Sequence, residues 1–106
     1  MAEIETGALT FEHLAARGRF RLMQGDLEAA VLDYRVLDRR SGPAVWDIVH
    51  TYSPPQFRGA GLASALVQHV FDQARSAGVR IVPSCPYIPT WVGRHPGEGD
   101  LIAAAR

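Results

Sequence analysis

The stretch Arg58-Gly59-Ala60-Gly61-Leu62-Ala63 holds the residues whose types and spacing point most directly to chemistry. Two glycines one residue apart lead into a segment with helical spacing, and a helix start leaves backbone N–H groups unsatisfied under a partial positive charge. Gly59 and Gly61 have no side chain to hold an anion away from those amides, and Arg58 adds a charged donor at the same place. The spacing is neither GxGxxG nor GxxxxGK followed by Ser or Thr, so it predicts neither a dinucleotide fingerprint nor a P-loop. Two further side chains carry reactive atoms. Cys85 offers a thiolate that acts as an acyl acceptor or base, and His50 an imidazole suited to general base work near neutral pH. Each also has a plain structural reading. A lone cysteine is commonly an inert buried thiol, no Lys occurs in the chain, and no charged residue lies between Ile81 and Trp91 to favour the thiolate. His50 serves equally well as a histidine that only hydrogen-bonds within a sheet.

These residues need elements to position them. Met1 to Thr10 reads as a loose lead-in without period. Phe20 to Leu22 and Leu27 to Val36 predict two strands joined at Gln24-Gly25-Asp26, and a second turn cluster runs from Arg39 to Pro43. Ala44 to Tyr52 is rich in β-branched and aromatic residues, as a central strand is. Pro54 and Pro55 stop that strand and force a loop. From Leu62 to Ala77, Leu62, Leu66, Val70 and Ala74 recur at steps of four with Ala63, Val67 and Phe71 alongside, the stripe of an amphipathic helix that Gly78 ends. Val79 to Val82 is a short strand closed by Pro83. Tyr87 to Arg94 predicts a short helix with Pro89 in its first turn, and Asp100 to Arg106 another turn or two. Tyr87, Trp91 and His95 share one face of the short helix, a stripe read as core more readily than as site. The expectation is one α+β domain over residues 1–106 with a mainly antiparallel sheet.

Composition sets bounds on partners. With 106 residues, 47% hydrophobic, 21% charged and no net charge, the chain reads as an ordinary globular domain with one core. Arg35, Arg39 and Arg40 interleave with Asp33 and Asp38, a solvated surface and not a nucleic-acid patch. No run approaches the roughly 18 apolar residues of a membrane span, and no leader-like segment opens the sequence. A single cysteine, without CxxC partner, fits a reducing cytoplasmic setting. No His, Asp, Glu or Cys pair has ligand spacing, so no metal is expected, and His13 and His69 receive no role.

The run Arg58-Gly59-x-Gly61-x-Ala63 resembles the coenzyme A pyrophosphate loop of the Gcn5-related N-acetyltransferases. Its flanks resemble the short single-domain branch of that superfamily: His50-Thr51 at a strand end, the prolines, then Pro83-Ser84-Cys85, Tyr87 and His95-Pro96. The resemblance covers roughly Phe20 to Pro96. It implies a fold in which the strand ending at Tyr52 splays from its neighbour at Ile81 to Cys85, with pantetheine in the gap along His50 to Ser53. It further implies acetyl-coenzyme A or coenzyme A as cosubstrate, held by Thr51, Ser53, Arg58, Gly59, Ala60, Gly61, Leu62 and Ala63, with His95-Pro96 at the pocket edge. A backbone N–H around Thr51 to Ser53 would polarise the thioester carbonyl. Cys85, His50 and Tyr52 are the candidate catalytic residues. Tyr52 stands where some relatives carry Glu, which sets aside a carboxylate base and leaves a phenol able to protonate the leaving thiolate. The expected activity is acetyl transfer to an amine, whether small molecule, lysine or N-terminus. A coenzyme A binding module without transfer, and a glycine-loop binder of another nucleotide, remain as alternatives.

Overall fold

The computed structural model describes residues 8–37 and 42–103. Five strands form one sheet in sequence order: β1 (Leu9–Leu14), β2 (Arg19–Gln24), β3 (Leu27–Leu37), β4 (Val45–Tyr52) and β5 (Arg80–Val82). The first four run antiparallel and β5 runs parallel to β4, as expected when a helix makes the crossover. That helix is α1 (Leu62–Ala77), and α2 (Tyr87–Arg94) follows β5. This is the α+β arrangement with a central helix that the sequence implied.

The hydrophobic stripe of α1 explains its seat. Leu66, Val67, Val70, Phe71 and Ala74 are its buried residues, and they meet Phe20, Leu22, Leu32 and Ile48 from one face of the sheet. Each fully buried side chain of this kind contributes about 1.5–3 kcal/mol. The opposite face is polar: Arg19 pairs with Asp33 at 2.7 Å, and Arg21 reaches Glu12 at 2.7 Å and Glu28 at 2.9 Å. A 3-10 stretch at Pro96–Leu101 follows α2 and starts before the turn expected over Asp100 to Arg106, whose last three residues lie outside the described residues, and Ala103 N–H donates to the Ile81 carbonyl at 2.7 Å. Arg75 holds this tail against α1 through Glu98 and Asp100.

One expectation changes, and one falls mostly outside the described residues. Leu9–Leu14 is a strand, so the loose lead-in reaches no further than Ala8 among the described residues; β1 zips onto β2 from Leu9↔Gln24 to Leu14↔Arg19. The turn cluster at Arg39–Pro43 and the basic group at Arg39 and Arg40 lie mostly outside the described residues, while Arg35 pairs with Asp47 at 3.1 Å.

Stacked rings fasten β1 to the rest. His13 lies on Phe20 at 3.8 Å between centroids and Phe11 on His69 of α1 at 4.1 Å, and His13 Nε2 shares a 2.6 Å hydrogen bond with the Tyr34 hydroxyl. Loss of hydration against these rings, and for His13 the charge of His69, holds both imidazoles below their ordinary value of 6.5; Asp72 opposes the shift at His69. A histidine whose folded value is depressed gives full stability above the unfolded value and costs stability as pH falls through it. Melting temperature is therefore expected to fall by about 2–4 °C between pH 7 and pH 5.5, and His69→Phe to shrink that fall. Melting curves across this range check it; an unchanged slope in the variant would refute the assignment.

Candidate functional site

The site begins where β4 parts from β5. Val45↔Arg80, Trp46↔Ile81 and Asp47↔Val82 are paired, then Pro83 ends the ladder and the Cys85 N–H makes one last bond to the Ile48 carbonyl at 2.8 Å. From Val49 to Tyr52 that side of β4 meets no backbone partner among the described residues. On its other side β4 carries a bulge: Asp33 pairs with His50 and Tyr34 with Ile48, so Val49 is the extra residue. An open strand edge of unpaired N–H and C=O groups is a ready partner for amide groups of a ligand.

Ser53 and the loop after it complete the frame. Ser53 Oγ donates to the Ala29 carbonyl at 2.7 Å, fixing the end of β4, and Arg58 Nε donates to the Ser53 carbonyl at 2.9 Å. The Arg58 guanidinium lies 5.6 Å from the centre of the Tyr52 ring, so it bridges strand end and loop. Gly59 and Gly61 sit at φ of 87° and 76°, left-handed backbone that glycine takes without strain. Gly61 caps α1, whose first turn has neither a side-chain cap nor an acidic residue. The N–H groups there point outward unsatisfied, and nothing local cancels their positive field.

A cleft of about 380 Å³ lies over this loop, lined by Ser53, Arg58, Gly59, Gly61, Ala63 and Ser64 on one side and by Tyr87 and Arg94 of α2 on the other. A second cleft of about 270 Å³, lined by Thr51, Tyr52, Ser53, Arg58, Ala63 and Tyr87, shares Ser53, Arg58, Ala63 and Tyr87 with it. The two form one groove from the start of α1 to the open edge of β4. Thr51 Oγ1 is buried at the second cleft without a hydrogen-bond partner among the described residues. Orphan amides at one end and an orphan hydroxyl at the other fit a long ligand with an anionic head and a polar arm.

The structure thus gathers Thr51, Tyr52, Ser53, Arg58, Gly59, Gly61, Leu62 and Ala63 around one groove, with Ala60 inside the loop. His50 and Cys85 line neither cleft. His50 is exposed, with its ring 6.2 Å from that of Tyr52 and nearly parallel to it. Cys85 is a free thiol, 8% exposed, within the main core. The Tyr87, Trp91 and His95 stripe divides. Trp91 is core, 3% exposed, and packs on Phe71 at 4.9 Å, and His95 stacks on it at 4.1 Å. Tyr87, expected in the core, instead faces the groove, because α2 begins at the groove's rim.

Ser64, Phe57 and Arg94 are lining residues that sequence reasoning left out. Ser64 had a signal, since it directly follows the Arg58–Ala63 run in the first turn of the helix. The Trp91 indole N–H donates to Ser64 Oγ at 2.9 Å. Because indole nitrogen only donates, the serine must accept, which leaves its own hydrogen to donate into the cleft. Among the described residues no cluster of His, Cys, Asp and Glu could hold a metal ion, and no helix is long and apolar enough to cross a membrane.

Comparison with known proteins bears on the family and the fold. The family described as GCN5-related N-acetyl-transferase matches residues 19–101. Among solved structures, Arabidopsis thaliana Naa50 in complex with the bisubstrate analogue CoA-Ac-MVNAL is similar, with TM-score 0.57 and 19% identity over 76% of this chain and 56% of that one. A ribosomal-protein-alanine N-acetyltransferase from Brucella melitensis biovar Abortus 2308 gives 0.56 and 22% over 87% and 68%. The aminoglycoside N-acetyltransferase AAC(6')-Iy in complex with CoA gives 0.51 and 17% over 83% and 60%. At these identities the likeness is one of fold, and the chain spans little more than half the length of the Arabidopsis protein.

Proposed function

The chain belongs to the GCN5-related N-acetyltransferases, and from that premise we propose that it binds acetyl-coenzyme A in the groove and transfers the acetyl group to an amine. The observation that carries the reading is the continuity of the groove, from the uncapped amides of α1 to the unpaired edge of β4. The diphosphate takes the N–H groups of Gly59 to Ser64 together with Arg58. The pantetheine amides pair with Thr51 to Ser53, where Thr51 Oγ1 gains the partner it lacks. A β4 backbone N–H at the open edge polarises the thioester carbonyl.

The amine nitrogen attacks the carbonyl carbon, the C–S bond breaks, and the electron pair leaves on sulfur as thiolate. Tyr52 donates the proton that this thiolate takes up, and His50 accepts the proton lost from the amine. Cys85, at the closed end of the gap between β4 and the segment after β5, is the other candidate base. The acceptor is a small amine, a lysine or an N-terminus; the Arabidopsis protein is in complex with the bisubstrate analogue CoA-Ac-MVNAL, and another similar structure is that of an aminoglycoside N-acetyltransferase. The lone cysteine, kept as a free thiol, fits a reducing cytoplasmic setting.

One observation favours a second reading, a coenzyme A binding module without turnover: no Asp or Glu lines either cleft, and Cys85 and His50 line neither. Titration with coenzyme A and acetyl-coenzyme A by calorimetry, followed by a free-thiol release assay over an amine panel, decides between them. Thiol release that His50→Ala or Cys85→Ala removes, with binding kept, supports transfer. Binding with no release across the panel supports the module, and no binding of either ligand sinks both.

A further inference from the structure

The larger cleft has an unusual charge pattern. Two arginines line it, Arg58 and Arg94, and no Asp or Glu does. They reach it from different elements: Arg58 from the loop before α1, where Ser53 and Tyr52 fix it, and Arg94 from the last turn of α2. A cation at a helix C-terminus is ordinarily favoured by the dipole, but here its natural counter-ion is taken elsewhere. Glu98, four residues on, is held by Arg75 at 2.9 Å and by Gln68 at 3.3 Å, and Asp100 by Arg75 at 2.7 Å. Arg94 meets no carboxylate among the described residues.

A groove that needed only to hold a diphosphate would be served by the loop amides and Arg58. Arg94 adds a second positive position on the facing wall. Coenzyme A carries a second anion, the 3′-phosphate on its ribose, separate from the diphosphate and doubly charged. We propose that Arg94 binds this 3′-phosphate, so that the cleft selects coenzyme A over 3′-dephospho-coenzyme A. The assignment rests on the acetyl-coenzyme A reading above. A guanidinium suits the role because its fork matches two phosphate oxygens at once and keeps its charge at any physiological pH.

Calorimetric titration of the whole chain with the two ligands tests it. The unaltered protein is expected to bind coenzyme A about 10-fold tighter than the dephospho form. Arg94→Gln removes that gap while leaving dephospho-coenzyme A affinity unchanged, and Arg58→Gln weakens both ligands and keeps the gap. Arg94 is exposed at a helix end, so the variant keeps its fold, which a melting curve verifies. Equal affinities in the unaltered protein overturn the inference and leave the cofactor reading standing. A gap that survives in Arg94→Gln, or that vanishes in Arg58→Gln instead, overturns it too. If neither ligand binds, the cofactor reading itself fails and the inference falls with it.

Discussion

Gly61→Asp is expected to weaken coenzyme A binding at least about 100-fold, equivalent to about 2.7 kcal/mol, while the protein stays folded. A β-carbon at this position meets nothing within 4 Å, so the added Cβ collides with no part of the protein. The residue lines the cleft, and its φ of 76° costs a non-glycine residue about 1–2 kcal/mol of strain. Aspartate tolerates that backbone better than most residues, which keeps the folding cost at the low end. The effect on binding has separate causes. A carboxylate at the start of α1 neutralises the positive end of the helix, competes for the N–H groups of its first turn as a cap, and repels a diphosphate. Calorimetry with coenzyme A, beside a melting curve, separates the two effects. Gly61→Ala serves as control, since it carries the strain without the charge and is expected to bind more tightly than Gly61→Asp. Affinity in Gly61→Asp within a factor of about 3 of the unaltered protein would place the phosphates elsewhere.

Gly18→Ala is expected to be strongly destabilising, costing about 3–5 kcal/mol. Gly18 has a φ of 66°, and its carbonyl accepts from the Tyr34 N–H at 2.8 Å while its own N–H donates to Ala15 at 3.1 Å. A β-carbon there would press into the Tyr34 carbonyl oxygen, far inside van der Waals contact. That atom belongs to backbone and cannot swing aside. Strain of about 1–2 kcal/mol from the left-handed backbone adds to the collision. Relief requires moving β3 at Tyr34, next to the β4 bulge and within the ring cluster of Phe20, His13 and Trp46. The melting temperature should drop by at least about 12 °C. A drop of under about 4 °C would mean that the turn at Ala15–Gly18 yields without disturbing the sheet. The two substitutions give opposite results: one removes the ligand and keeps the fold, the other attacks the fold at a point far from the loop in sequence.

Much of this protein is legible in its sequence because the signals are local. The four-residue recurrence from Leu62 to Ala74 needs no tertiary information to specify a buried helix face, and Leu66, Val70 and Ala74 bury while Leu62 stays half-buried at the groove. Glycines 59 and 61 before that helix encode their own backbone geometry, since only glycine takes it freely. Ala44 to Tyr52 reads as a strand from its β-branched and aromatic content and is one from Val45 on. β1 was not legible for the converse reason. Leu9, Thr10 and Phe11 are exposed, and the strand exists because β2 offers an edge and because Phe11 and His13 find rings to stack on. Pairing of that kind depends on partners distant in the chain, and six residues cannot announce it.

The groove divides along the same line. Its floor, the loop of Arg58 to Ala63 and the edge of β4, is continuous in sequence, and residue types alone marked it. Its far wall is not. Tyr87 and Arg94 enter because the parallel crossover of β4 and β5 brings α2 over the start of α1, where Trp91 and Ser64 hydrogen-bond. Tyr87 stood in the sequence as a flank of the family resemblance and Arg94 carries no motif, and the salt bridges of Arg75 that keep carboxylates away from Arg94 join elements far apart in the chain. By itself the sequence determined the helix and the glycine turn before it, written in short-range periodicity and in the steric freedom of glycine, and its motif carried the resemblance to the family. Tertiary structure decided the opposing charge, the open length of β4 and the burial of Cys85, because those depend on which surfaces meet once the chain has closed on itself.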